Sequence, residues 1–250
     1  MDGLMFALEA LVVVGAIVMG TRSSGVGLGI WGGVGTAVLV FVFQVDVGSP
    51  PVDAILIILT VILAAATMQS AGGIDWMVSA AAKAIQKHPK QVVFIAPLMS
   101  FLFCLGAGTG NIVYPLLPVV YDVSYRNKVR PSRALSLTVV VSGVALACSP
   151  VSAAMAAMIT LTEVPPYNFD LIKVLSITIP AALLGLFLTS LIVGKMGAEL
   201  EDDPGYQERI ADGRLQPPPA AGVGEEIVIP YTTKGKYAAW IFLAGVVAII

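Results

Sequence analysis

QVVFIAPLMSFLFCLGAGTGNIVYPLLPVVYDVSYRNKVRPSR, residues 91–133, consists of two apolar limbs separated by the turn Gly106-Ala107-Gly108-Thr109-Gly110-Asn111. Lys83, Lys87 and Lys90 precede it, and Arg126, Lys128, Arg130 and Arg133 close it. Basic residues collect on the cytoplasmic side of a membrane, so both ends of the stretch belong to one face. Each limb has about fifteen residues, short of the roughly 20 that a helical span needs. The economical reading is a re-entrant hairpin, 91–125, whose glycine-rich tip stops near mid-membrane. Backbone that is not helical survives at that depth only where it lines a cavity or is buried in protein.

The composition agrees with a membrane setting. The chain is 57% hydrophobic and 12% charged, with a mean hydropathy of +0.90, far outside the range of soluble domains. The fold class expected is an all-α polytopic membrane protein. The net charge of −2 conceals an asymmetry: of the 14 Lys and Arg residues, only Lys173 falls near an outer end. No basic patch supports nucleic-acid binding. The 2 cysteines, Cys104 and Cys148, lie within apolar runs, which suggests neither a disulfide framework nor metal-ligand spacing.

In chain order, Leu4–Gly20 lacks a basic leader and is followed by further apolar runs, so it reads as a span rather than a signal peptide. Asp2 before it and Arg22 after it place the N-terminus outside. Gly25–Val45 returns outward, and its glycines 25, 29 and 33 form a small-residue stripe suited to close helix packing. Asp46-Val47-Gly48-Ser49-Pro50-Pro51 is an outer turn, and Val52–Ala71 crosses inward to Gly72-Gly73. Ile74–Lys87 reads as an amphipathic helix on the inner interface, with Ile74, Met77, Val78 and Ala81 at helical spacing and Trp76 at headgroup level. His88, beside Pro89, is a solvated turn residue.

Beyond the hairpin, Ala134–Thr162 is a span interrupted by Cys148-Ser149-Pro150-Val151-Ser152. Proline there removes an amide donor and breaks the helix, with Ser149 as the expected cap and Pro150 as the first residue of a new half-helix. Leu171–Gly194 crosses inward through Pro180. Residues 1–195 thus hold five spans and the hairpin. The acidic segment 196–236, with Glu199-Leu200-Glu201-Asp202-Asp203 and Pro217-Pro218-Pro219, reads as a solvated cytoplasmic linker, and 237–250 as the start of a truncated second repeat.

Both breaks begin a helix inside the membrane, one after Asn111 and one after Ser149. Helix N-termini present unpaired amides and partial positive charge, so two of them at mid-depth form an anion site without lysine or arginine. Discontinuous helices of this kind mark substrate sites in inverted-repeat transporters. The candidate binding residues are Thr109, Gly110 and Asn111 on one side and Ser149, Pro150 and Ser152 on the other. The alternative is a pair of kinks relieved by neighbouring helices. A nucleotide loop at Gly106-Gly108-Gly110 is excluded, because no strand precedes it and no Lys-Ser/Thr follows. A nucleophilic role for Cys104, Cys148 or Ser149 lacks a base, so bond chemistry is not expected.

At these residues the chain resembles the anaerobic C4-dicarboxylate transporters of bacteria, within the wider ion-transporter superfamily. The resemblance is carried by Ala107-Gly108-Thr109-Gly110-Asn111-Ile112, Leu117-Pro118-Val119, Arg130-Pro131-Ser132-Arg133, Ser149-Pro150-Val151-Ser152-Ala153-Ala154 and Asp202-Asp203-Pro204, in that order. It implies exchange or uptake of fumarate, succinate, malate or aspartate across the inner membrane by alternating access. It further implies the first inverted repeat of a chain twice this length, a homo-oligomer as one option, and no cofactor beyond a coupling Na+ or H+. Val113-Tyr114-Pro115-Leu116 departs from the small and polar residues of that family's second limb. An anion channel or uniporter, and a sensor or partner subunit without transport, remain open alternatives.

The charge bias makes a direct prediction. Topology reporters fused at Asp46 and Pro166 will read outside and one at Gly213 inside; Arg126 found outside would turn the hairpin into a full span.

Overall fold

The computed structural model describes residues 2–23, 26–46, 52–217 and 229–249. Gly25 of the glycine stripe, 47–51 of the outer turn, and Pro218 and Pro219 of the linker lie outside the described residues. Among the described residues the secondary structure is entirely helical, as eleven α-helices and three short 3-10 turns. These fall into two compact units, Met1–Pro51 and Val52–Ile250.

The first unit is the helix pair α1 (Asp2–Arg22) and α2 (Gly27–Phe41). α1 turns Leu4, Phe6, Leu11, Val14 and Ile17 outward, the surface that lipid requires and water penalises. α2 has 15 residues, shorter than the span read over 25–45, because the chain leaves the helix and Gln44 takes a left-handed φ of 57°. The packing seam also differs from the expected stripe. A Cβ on Gly29 or Gly33 would meet nothing within 4 Å, whereas one on Gly35 would lie 2.9 Å from the Ala16 Cβ, and one on Gly20 would strike Leu28. Gly35 lies two residues beyond Gly33, roughly 200° round the helix, and this other face is the one presented to α1.

In the second unit, α3 (Val52–Ser70) and α4 (Gly73–Lys87) meet at a bend of 72°. Gly72 makes the corner with φ +83°, a conformation that costs a residue with a Cβ about 1 kcal/mol or more. α11 (Thr233–Ile249) crosses this corner. The absent side chain of Gly235 lets the backbones touch, and Trp240 packs against Trp76 at 5.6 Å. The expected apolar stripe of α4 is real: Met77, Val78 and Ala81 are buried and Ile74 packs beside them, together with Ala82 and Ile85. Its partners are α5, α6 and α11, so this stripe packs against protein.

The remaining helices are α5 (Val92–Ala107), α6 (Val113–Arg126), α7 (Pro131–Cys148), α8 (Ala153–Thr162) and α9 (Leu171–Val193). α5 lies along α7, where the buried Ser100 hydroxyl donates to the Thr138 carbonyl at 3.2 Å. Phe101, Leu116, Val119 and Val120 pack with Ala134, Leu137, Val141 and Ala145 in one core. α9 runs unbroken through Pro180, with Asp170 capping its first turn by accepting the Lys173 amide at 2.8 Å. Among the described residues, four helical stretches are long and apolar enough to cross a bilayer, Gly3–Arg22, Pro89–Ala107, Pro131–Cys148 and Leu171–Val193, and the bent pair α3 and α4 passes the same test taken together. The first hairpin limb, with its 3-10 turn, therefore reaches 19 residues, while the second, α6, stops at 14.

The described part of the acidic segment is mostly exposed, and its start is tied to the first turn of α7 and the turn before it. Arg133, 6% exposed, forks onto the Met196 and Gly197 carbonyls at 2.7 and 2.8 Å and onto Glu199 at 2.6 Å. Arg130 pairs with Asp203 at 3.1 Å, and Lys128 pairs with Glu201, which raises the lysine pKa through a direct hydrogen bond to the carboxylate. Asp203 also accepts the Gly205 and Tyr206 amides and so caps α10 (Pro204–Ala211).

The closest backbone approach sets a stability prediction. In Gly235→Ala the new Cβ would lie 2.3 Å from the Gly72 oxygen, so the α11 crossing must shift; overpacking of this kind costs about 1–3 kcal/mol. Unfolding in detergent will show a loss of that size, whereas Gly245→Ala on the same helix, whose Cβ meets nothing within 4 Å, will leave stability unchanged.

Candidate functional site

The first break is built by Thr109. Its backbone is extended (φ −140°, ψ 140°), and its hydroxyl oxygen accepts the Asn111 amide at 3.3 Å, capping the 3-10 turn Gly110–Ile112 that leads into α6. The helical backbone therefore resumes directly after Thr109, two residues earlier than expected. Thr109 and Gly110 are half-buried, and Asn111 is exposed.

The second break lies between α7 and α8. Ser149 is extended (φ −87°, ψ 124°) at the end of α7, and α8 starts at Ala153 with Ser152 as its cap, the hydroxyl accepting the Met155 amide at 3.0 Å. The cap is thus Ser152 rather than Ser149, and Pro150 belongs to the turn instead of the first helical position. The reason is visible in the bonding of Ser149, whose hydroxyl accepts the Val151 amide at 3.3 Å and donates to the Leu105 carbonyl at 2.5 Å. Ser152 also donates to the Leu146 carbonyl at 2.6 Å. Ser149, Pro150 and Ser152 are all buried.

These bonds bring the two breaks together. Gly108, at φ +65°, lies so close to the second break that an added Cβ would be 2.6 Å from the Val151 oxygen. Two further groups belong here that the motif reading did not single out. Ser142 on α7 faces the tip, its hydroxyl oxygen 4.0 Å from the Cβ position of Gly110; it lies seven residues before Ser149, hence on the same helix face, and that spacing was a usable signal. The Leu105 carbonyl is backbone, and no residue pattern announces it.

The electrostatics come from the backbone. Residues 91–121 and 134–162 contain no Lys, Arg, His, Asp or Glu, so the fixed positive ends near the junction are the N-termini of α6 and α8. Each carries roughly half a positive charge. Ala153 and Ala154, the first residues of α8, are exposed, and amides this early in a helix have no intrahelical acceptor. An anion can be held here, but no histidine or carboxylate is present in these stretches to act as a general base. Among the described residues no group of three or more His, Cys, Asp or Glu comes together to hold a metal. A groove of about 700 Å³ between α3 and α11 reaches the break at Val151 and is otherwise lined mainly by apolar residues, with Thr60 and Thr67 among them.

Residues 5–250 match the family described as anaerobic C4-dicarboxylate membrane transporter. The C4-dicarboxylate transporter DcuA of Helicobacter pylori strain J99 is 38% identical over 242 residues, 97% of this chain and 53% of that protein. DcuA of Escherichia coli K12 is 35% identical over 247 residues, 98% of this chain and 55% of the relative. The anaerobic C4-dicarboxylate transporter DcuB of Escherichia coli strain CFT073 is 32% identical over 211 residues, 83% and 47% of the two chains. The chain spans about half the length of these curated relatives. No solved structure matches it significantly.

Two glycine substitutions separate junction from cavity. Gly108→Ala forces a Cβ into the Val151 backbone at a positive φ, and melting in detergent will show a loss of about 2–5 kcal/mol, the sum of overpacking and left-handed strain. Gly110→Ala, whose nearest neighbours would lie at 4.0 Å, will melt like the parent.

Proposed function

Because the chain belongs to the anaerobic C4-dicarboxylate membrane transporter family, we propose that it supplies one inverted repeat of a secondary transporter of C4-dicarboxylates such as fumarate, succinate, malate and aspartate. The observation that carries the mechanism is the contact between the two helix breaks, Gly108 against Val151, in a region without Lys, Arg, His, Asp or Glu. Substrate carboxylates bind to the amides at the starts of α6 and α8, with Asn111 as an exposed side-chain donor. The Thr109 and Ser152 hydroxyls cap the two turns and hold those amides in place. Ser149, committed to the Leu105 carbonyl, ties tip to break rather than touching the substrate. α5 and α6 form a re-entrant hairpin entered from the cytoplasm, the N-terminus is periplasmic, and alternating access exposes the junction to one side at a time in the bacterial inner membrane.

Counterflow of labelled succinate into fumarate-loaded proteoliposomes tests the exchange. Trans-stimulated uptake is the expected result; uptake without trans-stimulation would replace exchange by a channel or uniporter. Asn111→Ala will raise the half-saturating succinate concentration about tenfold to a hundredfold, the equivalent of one hydrogen bond to a charged group, and Ser152→Ala, which removes the α8 cap without touching substrate, will raise it about fivefold, the equivalent of a lost cap. A larger effect from Arg126→Gln with none from these two would place the anion site elsewhere.

A further inference from the structure

One groove lies away from the junction. It runs between α6 and α7, holds about 890 Å³, and is lined by Tyr114, Leu117, Pro118, Tyr121, Leu135 and Val139 among others. A second groove of about 460 Å³ lies at the turn joining the two helices, where Tyr125, Arg130 and Ser132 face Tyr206 and Arg209 of the acidic segment. The two grooves share Tyr121 and Leu135. Together they form a single furrow that is apolar at one end and cationic and hydroxyl-bearing at the other.

We propose that this furrow binds an anionic phospholipid of the cytoplasmic leaflet, with its phosphate at Arg209 and Ser132 and an acyl chain along α6. The dimensions fit. From Tyr125 to Tyr114 the helix advances eleven residues, roughly 16 Å at about 1.5 Å each, and one leaflet of the hydrocarbon core is about 15 Å deep. The polarity has the right order, because the cationic end lies at the basic turn 126–133, which the charge bias places on the cytoplasmic side, and the apolar end lies toward the hairpin tip. Charge complementarity favours a phosphate over a neutral headgroup. Asp203, the acid lining this end, is engaged by Arg130 at 3.1 Å and by the two α10 amides. Arg209 has no ion pair among the described residues. Tyrosine is the expected companion at this depth, presenting an apolar ring to the chain and a hydroxyl to the headgroup region.

The inference uses the membrane topology but not the transport mechanism, so its test reads lipid binding alone. The purified chain is titrated with phosphatidylglycerol or phosphatidylcholine and followed by native mass spectrometry. Phosphatidylglycerol will bind about tenfold more tightly, the gain of one charge-assisted contact. Arg209→Gln will erase that preference, and Val139→Trp, which fills the apolar end, will weaken both lipids. A phosphatidylglycerol analogue with a photoreactive acyl chain will label the parent chain within 114–121 or 135–140, a readout that needs no variant. Equal affinity for the two lipids, a preference that survives Arg209→Gln, or labelling only elsewhere would overturn the proposal. So would a Val139→Trp variant that changed the oligomeric state while leaving lipid binding intact, because the furrow would then be covered by a second copy.

Discussion

The contact on which the second unit depends is the meeting of two broken helices, Gly108 against Val151, tied by the Ser149 hydroxyl on the Leu105 carbonyl. A helix interrupted in an apolar environment leaves amides and carbonyls without partners, and each costs on the order of several kcal/mol there. Each break resolves part of this debt with its own side chains, Thr109 at one and Ser149 and Ser152 at the other. The bond from Ser149 to Leu105 then joins them, so the tip is positioned by the break and the break by the tip. α5 lies along α7 because both helices end at this junction, and the same geometry collects Ser142 beside Gly110.

At the other end of α7, Arg133 gathers the chain that follows α9. Its planar fork meets the Met196 and Gly197 carbonyls and Glu199 at once, which suits a guanidinium and would not suit a lysine. With the guanidinium buried and three acceptors aligned, this anchor outweighs the neighbouring Lys128–Glu201 pair, whose two side chains are exposed and which water screens almost completely. α7 is thereby held at both ends, at its start by Arg133 and at its finish by Ser149. A helix fixed in this way is a rigid element on which to place a binding site, and the hairpin is carried on its flank.

The legible parts of the molecule were those set by local chemistry. Glycine at 108 and 110, proline at 150 and a serine or threonine beside each break declare where helices stop, and they stop there. The apolar stripe of α4 was equally plain, but its partner was not, since lipid and protein reward the same periodicity; only the α5, α6 and α11 contacts decide between them. The capping residue was misassigned for a related reason. Ser149 and Ser152 are equivalent as caps in a linear reading, and the choice was made by the Leu105 carbonyl, 44 residues away. The acidic run 199–203 is exposed at Glu199, Glu201 and Asp202, as charge runs usually are; what the run does not announce is its tie to Arg130 and Arg133, which the sequence separates by more than sixty residues from their partners.

Holding a substrate by helix ends instead of basic side chains, as proposed, has a consequence for exchange. Two N-termini supply about one unit of positive charge between them, enough to attract a doubly charged substrate but not to neutralise it. A pair of buried lysines would bind it far more tightly, and would leave uncompensated charges in a low-dielectric site whenever the substrate departed, a state that costs several kcal/mol per ion. The uncharged amides beside the Thr109 and Ser152 caps cost less when empty, because water replacing the substrate accepts their hydrogen bonds. On the proposed reading, the unloaded and loaded junctions therefore differ little in energy. That near balance is what alternating exposure to the two sides of a membrane demands of a site that must release what it binds.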